Sequence, residues 1–146
     1  MEIRSILVPI DFSPSAAAAF QRAIELAKVF GAELELLHAY QLPVQLGVGE
    51  PVPLPQEFFD QLRKRAQAQL DEWVEKARAQ GLKASGTLRQ DAPAHAIPEA
   101  AGEKHVDLVV MGTRGLTGLK HFALGSVADR VVRSAPCPVL TVGHHD

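Results

Sequence analysis

The feature that most constrains this chain is an alternation. Five short runs with strand character, at 3–10, 33–40, 82–90, 106–112 and 138–143, are separated by four longer stretches with helical spacing. The run IRSILVPI is short, apolar and nearly unbroken in its second half, which suits a strand covered on both faces. ELELLHAY reads as the second strand and VDLVVMG as a buried fourth. LKASGTLRQ alternates apolar or small residues with Lys83, Ser85, Thr87 and Arg89, the pattern of an exposed edge strand, and PVLTVG reads as the fifth strand. The order βαβαβαβαβ demands a parallel sheet with helices on both faces, since each right-handed crossover must lie on one face or the other.

Local signals bound the helices. Ser13 is predicted to cap the first helix, with Pro14 at its first position and Gly31 as its stop. The second is expected over 56–80, with Phe59, Leu62, Ala66, Leu70, Trp73 and Ala77 as a core stripe and Gly81 ending it. Asp91 and Pro93 open a third. Pro98 falls inside it, where the ring lacks the N–H that would reach Ala94, so a kink or a late start is expected. The fourth is expected to begin at Ser126 as N-cap, with Asp129 completing a capping-box pattern. The connection 41–55 exceeds the usual roughly 4–6 residues and reads as a lid, a contact arm or a mobile loop.

At 146 residues and 47% hydrophobic, the chain fits one domain with a sizeable core, over 1–146. A net charge of -2 with interspersed signs favours neither a nucleic-acid nor a membrane partner. Cys137 is the single cysteine, no apolar stretch nears the roughly 20 residues that cross a bilayer, and no secretory leader is evident; a cytoplasmic location is expected. Cys137 lies between Pro136 and Pro138 without a nearby cation, which points to packing and not to reactivity. His38, His95, His105, His144 and His145 show no metal-ligand spacing.

The chemistry is expected in VVMGTRGLTGLKHFALGSVADRV, 109–131. In an open parallel sheet ligands collect at the carboxyl ends of the strands where the strand order reverses, and Asp11 and Gly112 both lie at such ends. Free N–H groups at the start of the fourth helix, with the positive end of its dipole, make an anion site there. Gly115 can offer further backbone donors and Ser126 a hydroxyl, so phosphates would sit between the 112–115 turn and the helix start. Replacing Gly115 and Gly125 by Val is then expected to block phosphate and leave the fold intact. The plainer alternative is that these glycines only end a strand, turn and begin a helix. Neither GxxxxGK[ST] nor GxGxxG is present.

The spacing of GTRGLTGLKHFALGS, Gly, two residues, Gly, nine residues, then Gly-Ser, resembles the ATP-binding motif of the universal stress protein family. ILVPIDFSPSA, LLHAY, VDLVVMGTRG and APCPVLTV extend the resemblance over nearly the whole chain. The expected fold is α/β: a single open five-stranded parallel sheet with helices on both faces, Rossmann-like, in strand order 3-2-1-4-5. The resemblance implies that Pro9, Asp11 and Ala39 border the adenine and ribose, while Met111, Gly112, Arg114, Gly115, Gly125, Ser126 and Val127 line the ribose and phosphates. Ala39 stands where the family often has Val.

The bound nucleotide is expected to be ATP, with AMP or ADP as alternatives and Mg or Mn as an accompanying metal. An apolar edge at VLTV needs a cover, and the resemblance likewise implies a homodimer through Val139, Leu140, Thr141 and Val142. The leading function is a nucleotide-dependent stress-response regulator that alters its surface toward a protein partner, with at most slow ATP hydrolysis. A slow ATPase or autophosphorylating enzyme and a nucleotide-free interaction module are the alternatives. Lys120, His121 and Asp11 are the only nearby candidates for hydrolysis, and no spacing fixes them in a catalytic role. A receiver domain is rejected, because the first strand ends with Asp11 alone and TVGHHD carries no lysine.

Overall fold

The computed structural model describes residues 1–42, 54–114 and 124–143. Nine elements follow in order: β1 Ser5–Pro9, α1 Pro14–Phe30, β2 Glu33–Tyr40, α2 Gln56–Ala79, β3 Ala84–Gln90, α3 Pro93–Glu103, β4 Leu108–Gly112, α4 Ser126–Ser134 and β5 Val139–Val142. The strands form one parallel sheet in the order β3-β2-β1-β4-β5. This is the expected α/β architecture, with β2 as expected and the other strands shortened by at most two residues at an end. Most of the 41–55 connection lies outside the described residues.

Side chains alternate across a strand, so the central strands feed two cores. Ile6, Val8, Leu34, Leu36, Leu108 and Val110 pack with α1 and α2 on one face. Leu7, Leu37, Val109 and Met111 pack with Ile97, Ala100, Ala128 and Val131 of α3 and α4 on the other. β1 and β4 are buried on both faces, which explains their unbroken apolar runs. β3 is the outer strand that its alternating sequence predicts.

α1 starts and stops as its sequence signals. The Ser13 hydroxyl accepts from the Ala16 amide at 3.1 Å, Pro14 takes the first helical position, and Gly31 at φ 67° closes the helix in the left-handed region. Ala16, Ala19, Ala23 and Ala27 give it a small-residue stripe that lies close against the sheet.

Three expectations are corrected. Only Leu70, Val74 and Ala77 of α2 are buried, all in its C-terminal half, while Phe59, Leu62 and Ala66 are part-exposed. Twenty-four helical residues span about 36 Å, whereas the seven of β3 span about 23 Å. The helix therefore overshoots the sheet, and its first turns stand beyond the carboxyl ends of the strands. Second, of the kink or late start expected at Pro98, the late start is not found. The helix α3 begins at Pro93 and runs through Pro98 to Glu103, losing one donor and not the helix.

Third, Gly125 and not Ser126 caps α4. Ser126 is the first helical residue, and no side-chain capping bond forms. The Gly125 amide donates to the Thr113 carbonyl at 2.7 Å, and a Cβ on residue 125 would sit 2.8 Å from that oxygen. The tight approach selects glycine for the cap. Asp129 remains in the first turn, where a negative charge suits the helix dipole.

Candidate functional site

β1 and β4 are neighbours, and the chain leaves them toward opposite edges of the sheet, so the order reverses between them. Their carboxyl ends open into a crevice that β1, β2, α3, β4 and α4 all line. β1 contributes Pro9, after which the Ile10 amide donates to the Leu37 carbonyl at 2.7 Å and the Ile10 carbonyl accepts from His38 Nδ1 at 2.6 Å. A carbonyl only accepts, so Nδ1 carries the proton.

Asp11 follows. Its Oδ1 accepts from the Ser13 amide at 3.0 Å and also from the Ser13 hydroxyl, so this carboxylate both lines the crevice and steadies the cap of α1. Between them Phe12 adopts φ 64°, a left-handed conformation that costs an L-residue about 1–2 kcal/mol. Its ring packs against His38 at 4.6 Å and edge-on to Trp73 at 5.8 Å, contacts that hold the turn.

On the β4 side the two described motif glycines are bare for the protein's own packing. A methyl at 112 would collide with the buried Ser15 hydroxyl and lie 2.8 Å from the Ser15 carbonyl oxygen. Ser15 then accepts from the Arg114 amide at 3.2 Å, while the Thr113 amide donates to Val142 at 3.3 Å. Thus Gly112 lets β4 approach α1, and Gly125 lets the returning chain meet Thr113. The plainer reading of these two glycines is the one that the contacts support. Gly115, Lys120 and His121 lie outside the described residues.

The start of α4 is set by the same bonds. Gly125 spends its amide on Thr113, and Asp129 is the first residue of the helix with a bond back, to Gly125 at 2.9 Å. The amides of Ser126, Val127 and Ala128 stand in the first turn, where a helix has no partners of its own to offer, and all three residues line the crevice.

Pro9, Asp11, Ala39, Met111, Gly112, Arg114, Gly125, Ser126 and Val127 all border this one crevice. The sequence reading missed Pro93 and Ile97 of α3, and Thr113, all of which line the opening. The apolar spacing of α3 was visible, but not that one turn of it would close a pocket. The result is a slot with apolar walls from Pro9, Leu37, Ala39, Ile97 and Met111, and backbone donors at its α4 end. Among the described lining residues Asp11 is the one carboxylate and Arg114 the one cation.

Two groups lie apart. Asp91, His95 and Glu99 place ligand-type atoms within 4.8 Å of one another at the start of α3, a grouping that D-x3-H-x3-E could have signalled. His95 Nδ1 lies 2.6 Å from Asp91 and Nε2 3.1 Å from Glu99, so each ring nitrogen already faces its own carboxylate. That is the geometry of an imidazolium brace. The hydrogen bond to Asp91, then the Asp91 and Glu99 charges, raise the His95 pKa above the ordinary imidazole value, with Arg130 opposing. Cys137 packs against the second core, and burial, with Asp107 adding to it, pushes its thiol pKa up and its reactivity down, as its proline-flanked position suggested.

No helix among the described residues is long and apolar enough to cross a membrane. The universal stress protein family profile matches residues 2–143. A universal stress protein from the QAH/OAS sulfhydrylase 3′ region of Thermus aquaticus is 41% identical over 145 residues, covering 95% of this chain and 98% of that protein. Among solved structures, the hypothetical protein MJ0577 shares the fold with TM-score 0.84 at 24% identity, covering 100% of this chain and 99% of that one. A universal stress protein in complex with cAMP superposes with TM-score 0.73 at 27% identity, covering 98% of each.

Proposed function

The chain belongs to the universal stress protein family, and on that premise we propose that it is a nucleotide-dependent regulator that binds ATP, with AMP or ADP as lesser ligands, in the crevice between β1 and β4. The observation that carries this reading is the pairing of an apolar slot with the start of α4 in a single opening. A planar base is accommodated by small and apolar walls such as Ala39, Ile97 and Met111. A polyanionic tail is accommodated by the first-turn amides of α4 and the Ser126 hydroxyl. A relative that binds cAMP supports an adenine nucleotide as the class of ligand.

Asp11 is assigned to the adenosine side. A carboxylate beside the phosphates would repel them, and at the far end of the slot it can accept from a ribose hydroxyl. Mg or Mn would be held mainly by phosphate oxygens, supplying charge neutralisation. Ala39, whose neighbours at 38 and 40 face the opposite core, presents only a methyl to the slot.

The regulator is proposed as a homodimer joined through β5. That strand pairs with β4 on one side only, leaving Leu140 38% exposed at the end of the sheet. Occupancy can alter the surface only if ATP binds two states of the protein unequally. The Thr113 amide bonded to Val142 gives one physical link between crevice and dimer strand.

Denaturing the purified protein and chromatographing what it releases tests the reading. Adenine nucleotide at a near-stoichiometric ratio is the expected result. A protein that carries none, and acquires none after incubation with millimolar ATP, is instead the interaction module that needs no nucleotide.

A further inference from the structure

We propose that His38 is a positioning residue that aims Asp11 into the crevice without touching the ligand itself. The inference rests on the nucleotide reading of the crevice. Residues 37, 38 and 39 alternate across β2: Leu37 and Ala39 border the slot, whereas His38 packs on the other face with Phe12 and Tyr40. His38 therefore stands behind the wall, on the side away from the ligand. From there it grips the chain on both sides of Asp11.

Upstream, both backbone groups of Ile10 are pinned by β2, its amide by Leu37 at 2.7 Å and its carbonyl by His38 Nδ1 at 2.6 Å. Downstream, the Phe12 ring sits 4.6 Å from the same imidazole, at a residue whose φ of 64° the backbone does not favour. Tyr40 stacks on the imidazole at 6.2 Å and 13°, limiting its rotation. One side chain thus fixes the peptide before Asp11 and the ring after it. Between those two points the carboxylate can meet Ser13 with Oδ1 and turn its other oxygen toward the slot.

The role needs a donor at the Nδ1 position, and the ring adds packing for Phe12. Leu or Phe could fill the space but donate nothing to Ile10, while Asn places an amide N–H near the position of Nδ1. No metal-ligand spacing surrounds His38 in the sequence.

The test compares wild type with His38→Phe, His38→Asn, Asp11→Asn and the double variant His38→Phe with Asp11→Asn. ATP dissociation constants are read by calorimetry and folding by thermal melts. His38→Phe should weaken ATP binding by about five- to tenfold, as loss of one hydrogen bond that acts through Asp11 would. His38→Asn should recover most of that loss. In the Asp11→Asn background His38→Phe should add little, because the group being aimed has lost its charge. Additive losses in the two backgrounds, tracking melting temperature, would mean that His38 only supports the fold and would overturn the inference.

A ligand-free measurement separates this from failure of the nucleotide reading. Hydrogen exchange at the Ser13 amide, which donates to Asp11, should quicken in His38→Phe and return toward wild type in His38→Asn. Unchanged exchange contradicts the positioning role even where ATP binds. Exchange that follows the pattern in a protein that does not bind ATP retains the positioning of Asp11 and removes the nucleotide.

Discussion

At the scale of single residues, the β4 end of the crevice is governed by where a methyl group would fall. Gly112→Ala places one against Ser15, at 2.8 Å from its backbone oxygen, and should destabilise the protein by about 1–3 kcal/mol. Ser15→Ala in the same chain should not restore the loss, since the clash with the backbone persists. A denaturant melt of the two variants checks this, and a Gly112→Ala protein as stable as wild type would contradict it. The same geometry changes what Gly125→Val can report. With Thr113 O 2.8 Å from the added Cβ, the substitution disturbs the loop before it can block a phosphate. Sequence spacing locates the motif glycines, but which atoms press on them depends on the fold, which brings Ser15 of α1 against Gly112 and Thr113 against Gly125. Phe12 was beyond sequence reasoning for a similar reason. Nothing in FSP announces a positive φ, and the rings of His38 and Trp73 that hold it belong to β2 and α2.

At the scale of elements, α3 shows how a weak helix is kept. Pro98 removes the donor to Ala94, and the cap at Ala92 is a backbone position with no side-chain bond. The brace of Asp91, His95 and Glu99 runs along the exposed side of this stretch, and Pro93 and Ile97 on the other side form a wall of the crevice. His95, with its pKa raised mainly by the hydrogen bond to Asp91, contributes stability that is complete below the unfolded value of about 6.5 and fades as pH rises through the folded value. Asp91, lowered mainly by the same bond, contributes above its own unfolded value of about 3.9 and loses that contribution as pH falls through the folded one. The brace is therefore strongest between about pH 4 and 6.5. The melting-temperature difference between wild type and His95→Gln should be largest in that window and shrink toward pH 8.5. A difference independent of pH contradicts the brace.

The elements themselves were largely legible. Ser13, Pro14 and Gly31 bound α1 by local chemistry, and unbroken apolar runs mark β1 and β4 as central. The exposed first half of α2 was not legible, because its periodicity is sound and only the shorter sheet beneath it leaves Phe59 and Leu62 uncovered. The cap of α4 was misplaced by one residue for want of the Thr113 contact.

At the scale of the whole molecule, the sheet has an apolar edge at β5 and one opening that the fold builds. Leu140 is the cleanest probe of the first. It is 38% exposed, whereas Val139 packs against the second core, so a charge at 139 would injure the fold as well as any interface. Leu140→Lys brings like charges together across a twofold at β5 and should convert a dimer to a folded monomer. Light scattering alongside circular dichroism reads both properties, and a dimer that survives the substitution places the interface elsewhere.

The opening, an apolar slot that meets the start of α4 at the reversal of strand order, is where the proposed nucleotide would bind. Titration calorimetry of nucleotide-free protein with ATP tests this most directly. Saturable heat with one nucleotide per chain, weakened when Asp11 is changed to Asn, is the predicted result. Absence of heat at millimolar ATP, with no rise in melting temperature, would contradict it.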